Sequence, residues 1–265
     1  MDVSISESVG FQGANQNGDV RIIQEALKEA AEITLDPRID PGAVDGACGV
    51  GTEGAIERFQ RRIGIRRPDA KIDPNGYTLK RLNALLAIGA TNLTYPFARF
   101  SDFAFSGPGA GMRAFASRRG GGQRAHAGID LYFPDFTTVR SMADGVVTRG
   151  PYAFYLDTFA VEIDHGAFLA RYGEIAPESV WPVQEGDEVG RGQQIGRVGI
   201  LMRPNGSRLG VPSMMLHLEI YDKTESGKLT RAVGTSARTA MGVPFFRRRD
   251  LIDPSAFVQR SGIGR

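Results

Sequence analysis

The spacing of apolar residues changes character once along this chain, near residue 90, and no single-layer architecture accommodates both halves. Before that point the spacing is helical. Asn17-Gly18-Asp19 can cap a helix carrying Val20, Ile23, Leu27 and Ala31 at three- and four-residue intervals. A loop with prolines and glycines runs from Asp36 to Gly51, and Thr52 then caps a second amphipathic helix with Ala55, Ile56, Phe59 and Ile63 on one face. A third short helix carries Leu79, Leu82, Leu85 and Leu86. Three short helices sharing an apolar face make a small bundle that can fold as its own unit. Residues 88–95 read as a linker. Beyond them glycines become frequent and apolar residues alternate with polar ones, as in Thr158–His165 and Met215–Ile220. Short segments at Val139–Met142, Val146–Thr148 and Ile195–Val198 lie between glycine turns. The expectation is an α+β multidomain chain: a helical domain over residues 1–90, then an all-β antiparallel domain, sandwich- or barrel-like, over residues 91–265. Neither strand–helix alternation nor a phosphate-cradling glycine loop is present.

Composition narrows the function. With 32 Lys and Arg against 30 Asp and Glu, the net charge is +2, without the basic excess of a nucleic-acid binder. The clusters Arg61-Arg62, Arg66-Arg67, Arg118-Arg119 and Arg247-Arg248-Arg249 read as solvated surface. Cys48 is the one cysteine, so an intrachain disulfide and a Cys-rich structural zinc site are both excluded. It reads as a small half-buried thiol. No apolar run is long enough for a bilayer. Met1–Glu7 has acidic residues and lacks the basic-then-apolar order of a signal peptide.

Three histidines remain to carry chemistry. Two lie in strings with a carboxylate: His126-Ala127-Gly128-Ile129-Asp130, and His217 within Met215-Leu216-His217-Leu218-Glu219. Two imidazoles and a carboxylate form a three-ligand set that leaves the fourth position of a zinc ion to water, the arrangement of a hydrolase that polarises a carbonyl and activates water. The residues after Gly128 read as strand. On a straight strand His126 and Asp130 would stand about 13 Å apart, too far to share one ion. A sharp turn at Ala127-Gly128 is therefore expected, where glycine tolerates a bend. Glu219 shares a strand face with Met215 and His217. It is either a partner behind the ligands or a surface carboxylate, with the surface reading slightly favoured. His165 shares a face with Phe159, Val161 and Ile163; it is either a structural imidazole or a substitute acid or oxyanion donor.

Two resemblances rest on these strings. Asp45-Gly46-Ala47-Cys48-Gly49, Thr52, Ala55-Ile56 and Phe59-Gln60, with Asp69, Ile72-Asp73, Gly76 and Leu82, resemble the repeat of peptidoglycan-binding-domain-1-like modules over Gly10 to Leu86. That implies binding to a cell-wall glycopeptide; a mere helical spacer is the bland alternative. The string His126–Asp130 and the later Leu216-His217-Leu218-Glu219 resemble the lysostaphin-type zinc metallopeptidases, with support from Ala143–Val147, Ile163–Gly166, Val183–Asp187 and Gly192–Gly196. The resemblance runs from about Phe97 to Phe257. It implies zinc held by His126, Asp130 and His217, and cleavage of peptide cross-links in peptidoglycan.

The chain departs from that family at two places. The first histidine of the usual HxH string is Met215 here, and the histidine of the usual Tyr-x-His string is Glu174, in Arg171-Tyr172-Gly173-Glu174. A glutamate can act as general base beside zinc-bound water, whereas methionine has no proton to give. The leading expectation is a zinc endopeptidase with Glu174 as general base, acting as a monomer on peptidoglycan. The runner-up is a non-catalytic wall-binding or regulatory module, and cleavage of a non-wall peptide is a third. A wall substrate without a signal peptide suggests a protein carried out by secretion machinery, with an immunity protein as partner, or a phage-type lysin.

Overall fold

Each of the three stretches with helical spacing is a helix. In the computed structural model, which describes residues 2–210 and 213–262, these are α1 (Asn17–Thr34), α2 (Val50–Arg62) and α3 (Tyr77–Gly89). Their inward faces are those the spacing selects: Val20, Ile23, Leu27, Ile56, Phe59 and Leu82 are fully buried. A short antiparallel ribbon, β1 (Val9–Gly10) with β2 (Lys71–Ile72), joins them. Burying these apolar side chains supplies about 1.5–3 kcal/mol for each large one.

The helix starts differ from expectation. Gln16 precedes α1, and Asp19 sits in the first turn, where its carboxylate accepts hydrogen bonds from Ser6 N (3.1 Å), Ser6 Oγ (2.9 Å) and Glu7 N (2.9 Å). It ties down the N-terminal segment rather than capping. Gly49 occupies the N-cap of α2, and Thr52 is buried inside the first turn, accepting from Gln24 Nε2 at 3.1 Å. Gln24 and Gln60 brace the loops: Gln24 Oε1 accepts from Asp45 N and Gly46 N, and Gln60 Oε1 from Ala70 N. Each amide also donates, Gln24 to Asp45 Oδ1 and Gln60 to Asp69 Oδ1. Asp45, Thr52, Gln60 and Asp69 thus fix loop shape.

The chain divides into two compact units, one of Met1–Ala90 with Asp222–Asp250, the other of Thr91–Tyr221 with Leu251–Arg265. Asp222–Asp250 therefore folds with the helices, a placement absent from the expected division at residue 90. Its anchor is ionic. The fully buried Arg81 of α3 pairs through Nε with Asp222 Oδ2 at 2.5 Å and donates to Arg249 O at 3.0 Å.

The second unit is built on strands, all paired antiparallel: β3 (Arg118–Arg119), β4 (Arg124–Ala125), β5 (Ile129–Tyr132), β6 (Thr138–Arg140), β7 (Gly145–Ala153), β8 (Phe159–Asp164), β9 (Leu169–Ile175), β10 (Glu188–Val189), β11 (Gln194–Arg197), β12 (Gly199–Ile200), β13 (Met214–Tyr221) and β14 (Leu251–Ile252). Eight form one sheet, with the path β10-β7-β8-β9-β13-β12 and with β5 and β14 also on β13. A short helix, α4 (Ser255–Arg260), follows. Two-residue alternation puts Leu216, Leu218 and Ile220 on one side of β13 and Met215, His217, Glu219 and Tyr221 on the other. All of these are buried. The polar side is covered as well, and its charges answer one another across the strands: Arg171 of β9 stands opposite both Glu162 of β8 and Glu219 of β13.

Candidate metal centre

The register of β13 brings the predicted residues together. His217 lies directly opposite Asp130 on β5 and Gly173 on β9. Opposed residues of one face have Cβ atoms about 4.5–5.5 Å apart, so imidazole and carboxylate meet without distortion. His126 arrives from the segment between β4 and β5, where the chain bends at Gly128. That position admits no side chain: a Cβ would lie 2.2 Å from Leu218 O and 3.0 Å from His217 Cε1. The expected turn is present, and the approach of β13 explains its glycine.

Three atoms converge. His126 Nε2 lies 3.1 Å from His217 Nδ1 and 3.0 Å from Asp130 Oδ1, and His217 Nδ1 lies 2.9 Å from the same oxygen. Among the described residues this is the group of His, Cys, Asp and Glu side chains arranged to hold a metal ion. The outer ring nitrogens decide what the inner ones carry. His126 Nδ1 lies 2.9 Å from Ala114 O, and His217 Nε2 lies 3.0 Å from Glu219 Oε1. Both acceptors are oxygens, so both outer nitrogens donate and both inner nitrogens present lone pairs. Two lone pairs and a carboxylate oxygen, each about 3 Å from the others and buried, repel unless a cation joins them, either a proton on a ring nitrogen or a metal ion. Donors about 2.0–2.1 Å from a tetrahedral zinc stand about 3.3–3.4 Å apart, and the triangle is within a few tenths of an ångström of that. The residues fit the ion.

Electrostatics agree. Burial opposes the Asp130 carboxylate, but hydrogen bonds from His126 and His217 hold it well below the usual range. Burial likewise opposes the His217 imidazolium, but bonds to Asp130 and Glu219 raise it to about 9. Burial pushes His126 down. Proton and metal would compete for one pocket of negative charge.

Glu219 is fully buried, which corrects the surface reading. Besides His217 it accepts from Arg171 Nη1 (3.0 Å) and Tyr221 OH (2.5 Å). Arg171 in turn donates to Glu162 from Nη2 (2.9 Å) and Nε (3.2 Å), and Glu162 accepts from Tyr152 OH at 2.6 Å. Glu174, on β9, lies outside the converging group but within the field of Asp130, His217 and Arg119. Its φ is +62°, which breaks the strand alternation there, and its Oε2 is buried without a hydrogen-bond partner. Burial, then the Asp130 charge, push it up to about 8. Met215 is buried between Tyr132 and Gly199.

His165, carried from the sequence as either a structural imidazole or a substitute acid or oxyanion donor, has both ring nitrogens hydrogen-bonded within the fold. Its Nδ1 donates to Asp144 O (3.0 Å) and its Nε2 accepts from Tyr172 OH (3.1 Å); burial pushes it down to about 4. Tyr172 points away from the face that carries His217, as the pairing of Gly173 with His217 requires. Cys48 is half-buried, with its thiol pushed up by burial, so it stays protonated.

Two neighbours of the site escaped the sequence reading. Phe154 lies 5.9 Å from His217, ring to ring, in the space left by Gly173, where a Cβ would come within 2.7 Å of it. Arg119 places Nη2 3.0 Å from Asp130 Oδ2, the oxygen outside the triangle.

Residues 124–228 match the model of peptidase family M23, and residues 16–82 that of a putative peptidoglycan binding domain. Over the first of these segments the chain is similar to peptidase family M23. Both ligand strings of the metal centre lie inside the matched segment. Similar solved structures include a putative peptidase M23 from Pseudomonas aeruginosa, with 21% identity over 63% of this chain and 50% of that one and a TM-score of 0.35. The antimicrobial peptidase lysostaphin from Staphylococcus simulans follows, with 16% over 67% and 54% and a TM-score of 0.36. A mutant catalytic domain of the prophage-encoded M23 protein EnpA from Enterococcus faecalis gives 25% over 52% and 91% and a TM-score of 0.33. The chain spans about half the length of the first two. No curated protein matches it.

Proposed function

We propose that this chain is a zinc-dependent endopeptidase that cuts peptide cross-links of bacterial peptidoglycan, with the helical unit holding it to the wall polymer. The observation that carries this reading is the triad itself: His126 Nε2, His217 Nδ1 and Asp130 Oδ1 converge as lone pairs, each ring fixed from behind by a carbonyl or carboxylate. Zinc there would supply the Lewis acid that polarises the scissile carbonyl and acidifies water.

The chain's own residues supply the rest. Glu174 is the base: its Oε2 is buried without a hydrogen-bond partner and within the field of the triad, and a dication held there would reverse the repulsion from Asp130 and favour the carboxylate. It takes the proton of the attacking water and returns it to the leaving amine. Phe154 and Met215 line the site with apolar surface. The match to a peptidoglycan-binding model over residues 16–82 supports the wall as substrate, and with it a site of action outside the cytoplasm. Among the described residues no helix is long and apolar enough to cross a membrane.

The test is release of new amino termini from cross-linked muropeptides by the zinc-loaded full chain. Glu174→Gln is expected to lower kcat by about 10²–10⁴ while zinc stays bound. Wild-type protein that holds zinc and releases no amine would show the M23 domain to be a binding or regulatory module instead.

A further inference from the structure

With Glu174 engaged in proton transfer and Met215 unable to donate, neither replaced position offers a donor to the oxyanion that forms when water adds to a carbonyl. We propose that Arg119 binds that oxyanion, an assignment that rests on the endopeptidase reading. Water oxygen bonds to the carbonyl carbon and its proton goes to Glu174. The C=O π pair moves onto oxygen, where the guanidinium meets it. The pair then returns, the C–N bond breaks, and the nitrogen takes the proton from Glu174.

Four observations support the assignment. Arg119 is held against the triad by main chain: β3 pairs with β4, Ala116 N donates to His126 O (2.9 Å), and His126 N donates to Ser117 O (2.8 Å). Its side chain is 14% exposed, neither sealed in the core nor free in solvent. Its Nη2 bonds the outer oxygen of Asp130 at 3.0 Å and its Nη1 bonds Ser117 Oγ at 3.1 Å. A guanidinium has five N–H groups, so most of its donors remain for a ligand beside the metal centre. Finally, its charge acts on Glu174, His126 and Tyr132, which places it among the groups that surround the triad. A cation fixed before the reaction is the arrangement that lowers the barrier where negative charge develops.

Inorganic phosphate, a tetrahedral oxyanion, is the probe. It is titrated by calorimetry into full chain saturated with zinc, and zinc affinity is measured separately by competition with a chromophoric chelator. Arg119→Met is expected to weaken phosphate at least tenfold at full zinc occupancy, and to lower kcat on muropeptides by about 10²–10³ with KM little changed. Guanidinium ion added to Arg119→Ala is expected to restore part of kcat. Unchanged phosphate affinity in zinc-loaded Arg119→Met overturns the proposal and reduces Arg119 to a prop for Asp130. If that variant does not hold zinc, Arg119→Lys decides: its ammonium can pair with Asp130 but lacks the fork that serves a second oxygen at once, so wild-type phosphate affinity there also overturns the proposal. An Arg119-dependent phosphate site in a wild-type chain that cuts no muropeptide instead sinks the endopeptidase reading and, with it, the oxyanion role.

Discussion

Glu219→Gln tests how far the metal centre depends on what lies behind it. The carboxylate accepts from three donors, His217 Nε2 at 3.0 Å, Arg171 Nη1 at 3.0 Å and Tyr221 OH at 2.5 Å, in a fully buried position. Glutamine keeps the shape but replaces one oxygen with a donor. If its NH₂ faces Arg171, donor meets donor. If it faces His217, the ring is driven to the other tautomer, Nδ1 takes the proton, and the lone pair needed for the metal is gone. Loss of such an outer partner typically costs 10–100-fold in metal affinity, or about 1.4–2.7 kcal/mol. Breaking a buried ion pair from one side costs about 3–5 kcal/mol. Arg171 keeps two bonds to Glu162, so the lower end, about 3 kcal/mol, is expected for the metal-free protein. Chelator competition gives the zinc affinity, and urea unfolding with and without zinc gives the stability. A folded Glu219→Gln that binds zinc within about threefold of wild type would refute the claim that Glu219 sets the His217 tautomer.

Two further outcomes follow from buried charge. In the metal-free chain, His217 is raised to about 9 from 6.5 and Glu174 to about 8 from 4.5. The folded state therefore binds more protons than the unfolded one between each pair of values, and stability falls as pH rises through them. From pH 6.5 to 9 the melting temperature of metal-free protein should drop, while zinc, whose affinity rises with pH, should flatten or reverse the trend; equal slopes would contradict it. Asp222→Asn leaves the Arg81 guanidinium buried without its carboxylate and should cost about 3–5 kcal/mol, seen as a lower urea midpoint.

Legibility in the sequence followed the range of the interaction. The inward faces of α1 and α2 were readable because Val20, Ile23, Leu27, Ile56 and Phe59 repeat within a few residues. The first turns were not, since Thr52 serves Gln24, 28 residues away, instead of capping. His126, Asp130 and the bend at Gly128 were readable because one short string and the reach of a strand demand them. Arg119 was read as surface charge, because its bond to Asp130 exists only once β3 and β4 fold back beside His126. Glu219 failed for a different reason. Alternation along β13 shows which side is polar, but not that Glu162, Arg171 and Glu219 complete one another in a covered layer.

The segment Asp222–Asp250 gives the molecule an unusual inheritance. It leaves the sheet after Tyr221, where β13 pairs with Leu251, and returns there, having folded with residues 1–90. The helical unit is thus written in two places in the gene, with residues 91–221 of the strand-built unit threaded between them. A recombination that carried away residues 1–90 alone would strand Arg81 without Asp222, so the pair would have to travel together or be rebuilt. Anyone exchanging the helical unit on this scaffold has three junctions to join, at residues 90, 221 and 250, and a cut at the linker alone separates neither unit whole.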